Sequence, residues 1–315
     1  ANFWKNLKKP ITALAPMDEV TDYVFREIIS EIAKPDVLFT EFTSADALFS
    51  NGHRRIARNL EYTERQRPIV AQLWGATPES LEEAAKYVQE LRFDGVDINM
   101  GCPDKAIMKR SSGAALINNQ PLVGEIISEV RKAAPDISLS IKTRLDKNPD
   151  LTKDWFSFLL SSDIDALIIH ARTAKAMSKG KADWEEIGRA VELRDKINPK
   201  VTIIGNGDVK SYKEILEKHN KYNVDGIMIG RGILQNPWVF EKSENPQTKT
   251  KSDYVSLFLR HAELFHEKWG ESKNFAILKK FAKMYIKGFK GSAELRQELM
   301  LTKSYDRFKD ILNDI

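Results

Sequence analysis

The sequence predicts a (β/α)8 barrel followed by a small all-helical region. Three observations carry this: short apolar, β-rich runs recur eight times in the first 240 residues, a stretch of helical periodicity follows each, and the rhythm stops after Asn236-Pro237.

The runs are ITALAPM (11–17), VLFTEF (37–42), IVAQLWG (69–75), GVDINMG (95–101), ISLSIKTRL (137–145), ALIIHARTA (166–174), TIIGNGD (202–208) and GIMIGRG (226–232), with starts 24 to 42 residues apart. Continuous Val/Ile-rich runs suit strands covered on both faces, as in a parallel sheet. Between them, Thr77-Pro78-Glu79-Ser80 opens a helix, with Thr77 at the N-cap and Pro78 at the first helical position. Leu81, Ala84, Ala85, Val88 and Leu91 continue it at helical spacing, and 122–130 and 212–219 behave alike. A doubly wound sheet is the competing fold, but no glycine-rich dinucleotide fingerprint follows the first strand. Beyond Pro237, the polar segment 243–252 reads as a linker. Helices are expected over 253–269, 273–289 and 293–313, separated by Gly270, Gly288 and Gly291. The predicted domains are therefore 1–242 and 243–315.

Composition narrows the class. Apolar residues form 42% and charged residues 30% of the 315-residue chain, the balance of a soluble globular protein. No run approaches the roughly 18 apolar residues of a membrane span, and residues 1–10 lack the apolar stretch of a secretory signal. The single cysteine, Cys102, excludes an internal disulfide and fits a reducing cytoplasm. No metal-ligand spacing, iron–sulfur cysteine set or zinc finger is present. From 241 to 315 there are 15 Lys+Arg and 11 Asp+Glu, so the whole net charge of +4 falls in the last quarter, which points weakly to a polyanion. Residues 272–293 hold six lysines and no acid, and Lys279, Lys283 and Lys287 recur at i, i+4, i+8, on one face of a continuous helix. Phe281, Tyr285 and Phe289 recur one face over and are read as core.

Barrel chemistry gathers at the C-terminal ends of strands. Here those ends hold Pro16-Met17, Glu41, Gln72, Asn99 with Gly101-Cys102-Pro103, Lys142 and Arg144, His170 and Arg172, Asn206-Gly207-Asp208, and Gly230-Arg231-Gly232. An apolar strand ending in Lys142 must desolvate an ammonium, which costs several kcal/mol unless an anion answers it. The glycine-containing ends of the last two strands suit a phosphate, with Arg231 adding a full charge; substrate and cofactor are both open. Cys102 sits in a glycine–proline turn with Lys105, Lys109 and Arg110 close behind. Those cations favour thiolate, whereas an unshifted thiol is mostly protonated at neutral pH.

In these residues the chain resembles the tRNA-dihydrouridine synthase family, in its compact bacterial form. The resemblance spans nearly the whole chain and is strongest from Ala15 to Phe240. It rests on Ala15-Pro16-Met17 with Val20-Thr21-Asp22, Thr40-Glu41-Phe42, Gln72, Asp97-Ile98-Asn99-Met100-Gly101-Cys102-Pro103 and Gly113-Ala114-Ala115-Leu116. It continues in Lys142-Thr143-Arg144, His170-Ala171-Arg172-Thr173, Ala182-Asp183-Trp184, Asn206-Gly207-Asp208 and Ile229-Gly230-Arg231-Gly232. The resemblance implies an FMN-bearing TIM barrel with a helical RNA-binding domain, acting on tRNA as a cytoplasmic monomer with no obligate protein partner. It further implies that Pro16, Met17, Gln72, Lys142 and His170 line the flavin. Asn206, Gly207, Asp208, Gly230 and Arg231 hold its ribityl phosphate, and Cys102 is the general acid. Asn99 fixes the uracil, and Lys105, Lys109, Arg110, Arg144, Arg172, Lys279, Lys283 and Lys287 contact RNA. NADPH, docking directly over the flavin, is the implied reductant. Two departures stand out: Glu19 replaces the glycine usual after Ala-Pro-Met-x, and the segment from Ala174 to Gly180 lacks a tyrosine often found there. Ribosomal RNA as substrate, a dihydroorotate- or dihydropyrimidine-dehydrogenase-like enzyme acting on a free base, a flavin-free sugar-phosphate barrel and a non-catalytic RNA-binding barrel are the alternatives.

Overall fold

The computed structural model describes residues 2–50, 53–243 and 247–315. Its strands are β1 (Ile11–Leu14), β2 (Leu38–Phe39), β3 (Thr43–Ser44), β4 (Ile69–Trp74), β5 (Gly95–Met100), β6 (Ser138–Leu145), β7 (Ala166–Thr173), β8 (Thr202–Asn206) and β9 (Gly226–Ile229). All pair in parallel, in the order β1-β9-β8-β7-β6-β5-β4-β2. A parallel bridge from Ala13 to Val37 joins the two ends, so the sheet closes as the predicted TIM barrel. One expected strand differs: 37–42 holds only the two-residue β2, and β3 begins just past it, both paired with β4.

Strand period sets what faces the axis. Ile11, Ala13, Phe39, Val70, Ala166, Ile168, Ile204 and Met228 pack with one another inside, over Trp4. The alternate positions, among them Leu14, Leu73, Ile98, Ile141, Ile169 and Ile203, pack outward with the surrounding helices. Continuing the inward set toward the strand ends reaches Gln72, Asp97, Asn99, Ser140, Lys142, His170 and Asn206. The register makes neighbours of Gln72 and Asp97, Asn99 and Lys142, and His170 and Asn206. An apolar lower layer and a polar upper layer thus follow from strand position alone.

The helix Pro78–Glu90 starts at Thr77 as expected, although the Thr77 side chain makes no capping bond. The linker expected over 243–252 lies partly outside the described residues. A capping box, Thr250 with Asp253, opens the helix Lys251–Trp269. This helix packs on Tyr23–Ile32 of the barrel, where Arg260 pairs with Glu31 at 2.7 Å and Phe25 stacks on Phe281 at 5.5 Å between centroids. Apolar side chains of barrel and tail form one continuous core.

The expected helix over 273–289 is not formed. A 3-10 helix, Phe275–Phe281, passes into one α-turn, Ala282–Tyr285, and Gly288 and Gly291 follow at positive φ. Lys279, Lys283 and Lys287 therefore do not line one helical face. Lys279 donates to the carbonyls of Met300 and Thr302, at 2.9 and 2.6 Å, and Lys287 donates to the carbonyl of Gln235. Of the three, only Lys283 is exposed; Lys279 and Lys287 are half-buried. Phe281 and Tyr285 are buried and Phe289 is half-buried, as expected of core positions. The helix expected over 293–313 is two, Ser292–Leu301 and Tyr305–Asn313.

Candidate active site

A cleft of about 520 Å³ opens at the C-terminal ends of the strands, within the size range of cofactor sites. Pro16, Met17, Gln72, Asn99, Cys102, Lys142, Arg144, His170, Arg172, Asn206, Gly207, Asp208, Gly230 and Arg231 all line it. Lys105, Lys109 and Arg110 are exposed beside it on the short helix Lys105–Met108 and the turn that follows, with Arg110 over the Trp74 ring. Lys279, Lys283 and Lys287 do not line it. Glu41 does not either: it is buried and accepts the Glu19 amide at 2.6 Å. Glu19 sits at φ +57, a left-handed position that explains why glycine is at home there.

Beneath the cleft runs a directed set of hydrogen bonds. The Ser140 hydroxyl donates to Asp97 at 2.6 Å, and the Gln72 amide donates to the other Asp97 oxygen at 2.8 Å. Asn99 donates to the Gln72 carbonyl at 3.1 Å. The remaining Asn99 oxygen accepts from the Gly101 and Cys102 amides, at 3.1 and 2.9 Å. Because Asp97 accepts, Gln72 must turn its NH₂ downward and its oxygen to Asn99, which leaves the Asn99 oxygen to hold the cysteine turn. Burial pushes the Asp97 carboxyl up to about 7, against the two hydrogen bonds and Lys142, which hold it down. Sequence motifs include Asp97 without assigning it a role. The sign that marks it is an acid inside an otherwise apolar strand.

Cys102 is half-buried. Burial raises its thiol above the ordinary value, and the nearby Lys142 and Arg144 only partly offset this. The thiol is thus the resting form at neutral pH, despite the basic neighbours. Ala114 donates its amide to the Cys102 carbonyl at 2.9 Å. Gly113 lies behind at φ +62, where a Cβ would come within 2.7 Å of that same oxygen.

Cations dominate the wall formed by the ends of β6 to β9. Burial first, then Arg144, lowers the Lys142 ammonium to about 8, and its Nζ lies 3.4 Å from Asn206 Oδ1. Burial and the surrounding Lys142, Arg144, Arg172 and Arg231 hold His170 far below its usual value, so its imidazole is neutral. Arg144 and Arg172, expected to reach RNA, are buried. Arg172 pairs with Asp208 at 2.6 Å, and Arg144 donates to the Met177 carbonyl at 2.7 Å. Gly207, at φ +139, has its Cα so close to Ala182 that a Cβ would approach it to 2.7 Å. Cations thus outnumber carboxylates on this wall, and open glycine backbone adjoins Arg231. The donor set fits a phosphate-bearing anionic cofactor.

Fold and site together define a (β/α)8-barrel enzyme with a cation-rich mouth and a thiol at its rim. The sequence matches the family described as Dihydrouridine synthase (Dus) over residues 13–315, and the chain belongs to that family. Membership makes it an oxidoreductase and implies a flavin cofactor. It is 40% identical over 316 residues to a Staphylococcus aureus (strain COL) protein named "Probable tRNA-dihydrouridine synthase", covering 99% of this chain and 95% of that one. A Bacillus subtilis (strain 168) protein, "Probable tRNA-dihydrouridine synthase 2", is 39% identical over 317 residues, covering 99% and 96%. Among solved structures, 2-naphthoyl-CoA reductase in complex with 2-naphthoyl-CoA aligns with a TM-score of 0.54 at 14% identity, over 76% of this chain and 52% of that one. A variant of NCR from Zymomonas mobilis aligns with a TM-score of 0.50 at 18% identity, over 76% and 88%. These likenesses concern the fold. No helix among the described residues is long and apolar enough to cross a membrane, and no cluster of metal-ligating groups occurs among them.

Proposed function

We propose that the protein reduces specific uridines of tRNA to 5,6-dihydrouridine, with FMN as bound cofactor, NADPH as reductant and Cys102 as general acid. One observation carries the chemistry: the chain's only cysteine, its thiol raised by burial, lines a cleft that Lys142, Arg144, Arg172 and Arg231 also line.

Bound FMN, reloaded by NADPH, would supply the hydride that adds to C6 of the uracil. Lys142 and His170 would face its isoalloxazine, with Pro16, Met17 and Gln72 beside it. Asn206, Gly207, Gly230 and Arg231 would hold the ribityl phosphate. Asp208 belongs to this set through Arg172, which it orients. As charge develops at C5 of the uracil, the Cys102 thiol delivers its proton there and leaves as thiolate, which solvent reprotonates. Arg144 and Lys142 favour that thiolate once it forms, because both lower the thiol pKa. Asn99 acts in two ways. Its oxygen fixes the cysteine turn, and its place in the cleft lets it meet the uracil edge. A uridine stacked in RNA does not reach this depth, so the nucleotide must be extruded into the cleft. Lys105, Lys109 and Arg110 stand at the rim to take flanking phosphates. Among the three tail lysines, Lys283 is the exposed cation, while Lys279 and Lys287 spend their ammonium groups on backbone carbonyls.

The deciding experiment incubates the protein and NADPH with tRNA lacking the modification and maps dihydrouridine by mass. Product at defined positions is the expected result. Product only in ribosomal RNA, or only from free pyrimidine, would replace tRNA as the substrate while leaving the flavin chemistry in place.

A further inference from the structure

We infer that the loop between β7 and the helix Trp184–Ile197, residues 174–182, is a preorganised phosphate-gripping element at the cleft mouth, contacting RNA through Lys175, Lys179 and Lys181. The inference deepens the tRNA assignment and rests on it.

The loop is held from below by the cleft. Arg144 donates to the carbonyls of Thr173 and Met177 at 3.3 and 2.7 Å. Arg172 donates to Gly180 O at 2.7 Å and to Lys179 O at 3.3 Å. Asp208, itself paired with Arg172, accepts the Ala182 amide at 2.7 Å. The two buried arginines of the cleft thus fix the backbone of an exposed loop. Met177 sits at φ +51, a strained position for a bulky residue, and its bond to Arg144 holds it there.

What the fixed loop presents is cationic. Lys175, Lys179 and Lys181 are exposed, the segment 174–182 contains no acid, and none of the three makes an ion pair among the described residues. Free ammonium groups on an ordered backbone bind phosphate without breaking a prior contact and with little loop entropy to lose. The rim has a sign as well as a charge. Asp18 and Glu19 are exposed after β1, whereas the sides after β5 and β7 are basic. On the β1 side Lys280 pairs with Glu19, so a nucleic-acid backbone crossing the mouth is drawn chiefly to the β5–β7 side. Extruding a nucleotide between them requires phosphates to be gripped next to the cleft, where this loop lies.

The test measures tRNA affinity of the flavin-loaded protein between 50 and 200 mM salt. It compares wild type, the loop variant K175A/K179A/K181A and the tail variant K279A/K283A/K287A. If each loop lysine meets one phosphate, the loop variant's log–log salt slope becomes shallower by about 3 and its Kd rises at least about tenfold. Flavin absorbance is the check that the cleft is intact. Wild-type slope and affinity in the loop variant, or a loss confined to the tail variant, overturns the inference. Failure of wild type itself to bind tRNA overturns the tRNA assignment instead.

Discussion

The cleft and the helical tail are both places where polar residues recur at regular spacing, and the structure treats them differently. At the cleft, residues from all parts of the barrel converge as their positions at strand ends imply. In the tail, lysines spaced at four-residue intervals do not share a face, because the segment folds as a 3-10 helix and a single α-turn. Strand geometry is imposed by neighbours on both sides, so inward and outward positions are fixed once the register is set. A short helix has no such enforcement. Packing of Leu278, Phe281, Met284 and Tyr285 into the core, and the glycines at 288 and 291, decided its course against the helical period.

The contrast can be broken or sharpened by experiment. The largest effect is expected at Cys102. Cys102→Ala should keep its flavin colour and NADPH oxidation yet lose uridine reduction by ~10²-fold or more, the usual scale for a general acid. Product formation near the wild-type rate would remove the thiol from the chemistry. Next comes the turn that holds it. Asn99→Ala leaves the Gly101 and Cys102 amides without their acceptor, which costs about 1–3 kcal/mol and should slow uridine reduction roughly tenfold to a hundredfold. Iodoacetamide reports on this position alone, since the chain has one cysteine. Labelling of wild type should reach half its maximum above the ordinary thiol pH, and Asn99→Ala should react faster. Identical labelling profiles would mean that Asn99 does not position the thiol.

Lys142 gives a smaller, pH-dependent effect. Its ammonium is favoured below about pH 8 and lost above it. FMN affinity should therefore weaken as pH rises through that value, by about tenfold for loss of a charge-assisted bond. Lys142→Met should be weak throughout and show no such limb. A wild-type affinity flat from pH 7 to 9 would count against a charged Lys142 at the cofactor. The smallest effect belongs to the tail. Lys279→Ala removes bonds to two carbonyls, worth about 1 kcal/mol, and should lower Tm by roughly 1–2 °C while leaving tRNA affinity almost unchanged. A large affinity loss with unchanged Tm would return Lys279 to the RNA surface.

Much of the site was legible because a barrel gathers its strand ends. Gln72, Asn99, Cys102, Lys142, His170 and Asn206 lie far apart in the chain, yet each ends a β-rich run, and that alone assigns them to one rim. Glu41 shows the limit of this inference. It also follows a strand, but it lies between the short β2 and β3 and its carboxyl turns to the Glu19 amide instead of the cleft.

The sequence by itself determined the barrel, the strand ends that form its mouth and the family. These depend on periodicity and local residue order, which the linear chain carries. Only the tertiary structure decided that Asp97 orients the amides beneath Cys102, that the thiol's burial outweighs its basic neighbours, and that Arg144 and Arg172 hold a loop while Lys279 and Lys287 bond to carbonyls. Each of those depends on which group reaches a shared donor or acceptor first, and on how much water is left around it. Both are properties of packing between segments distant in sequence.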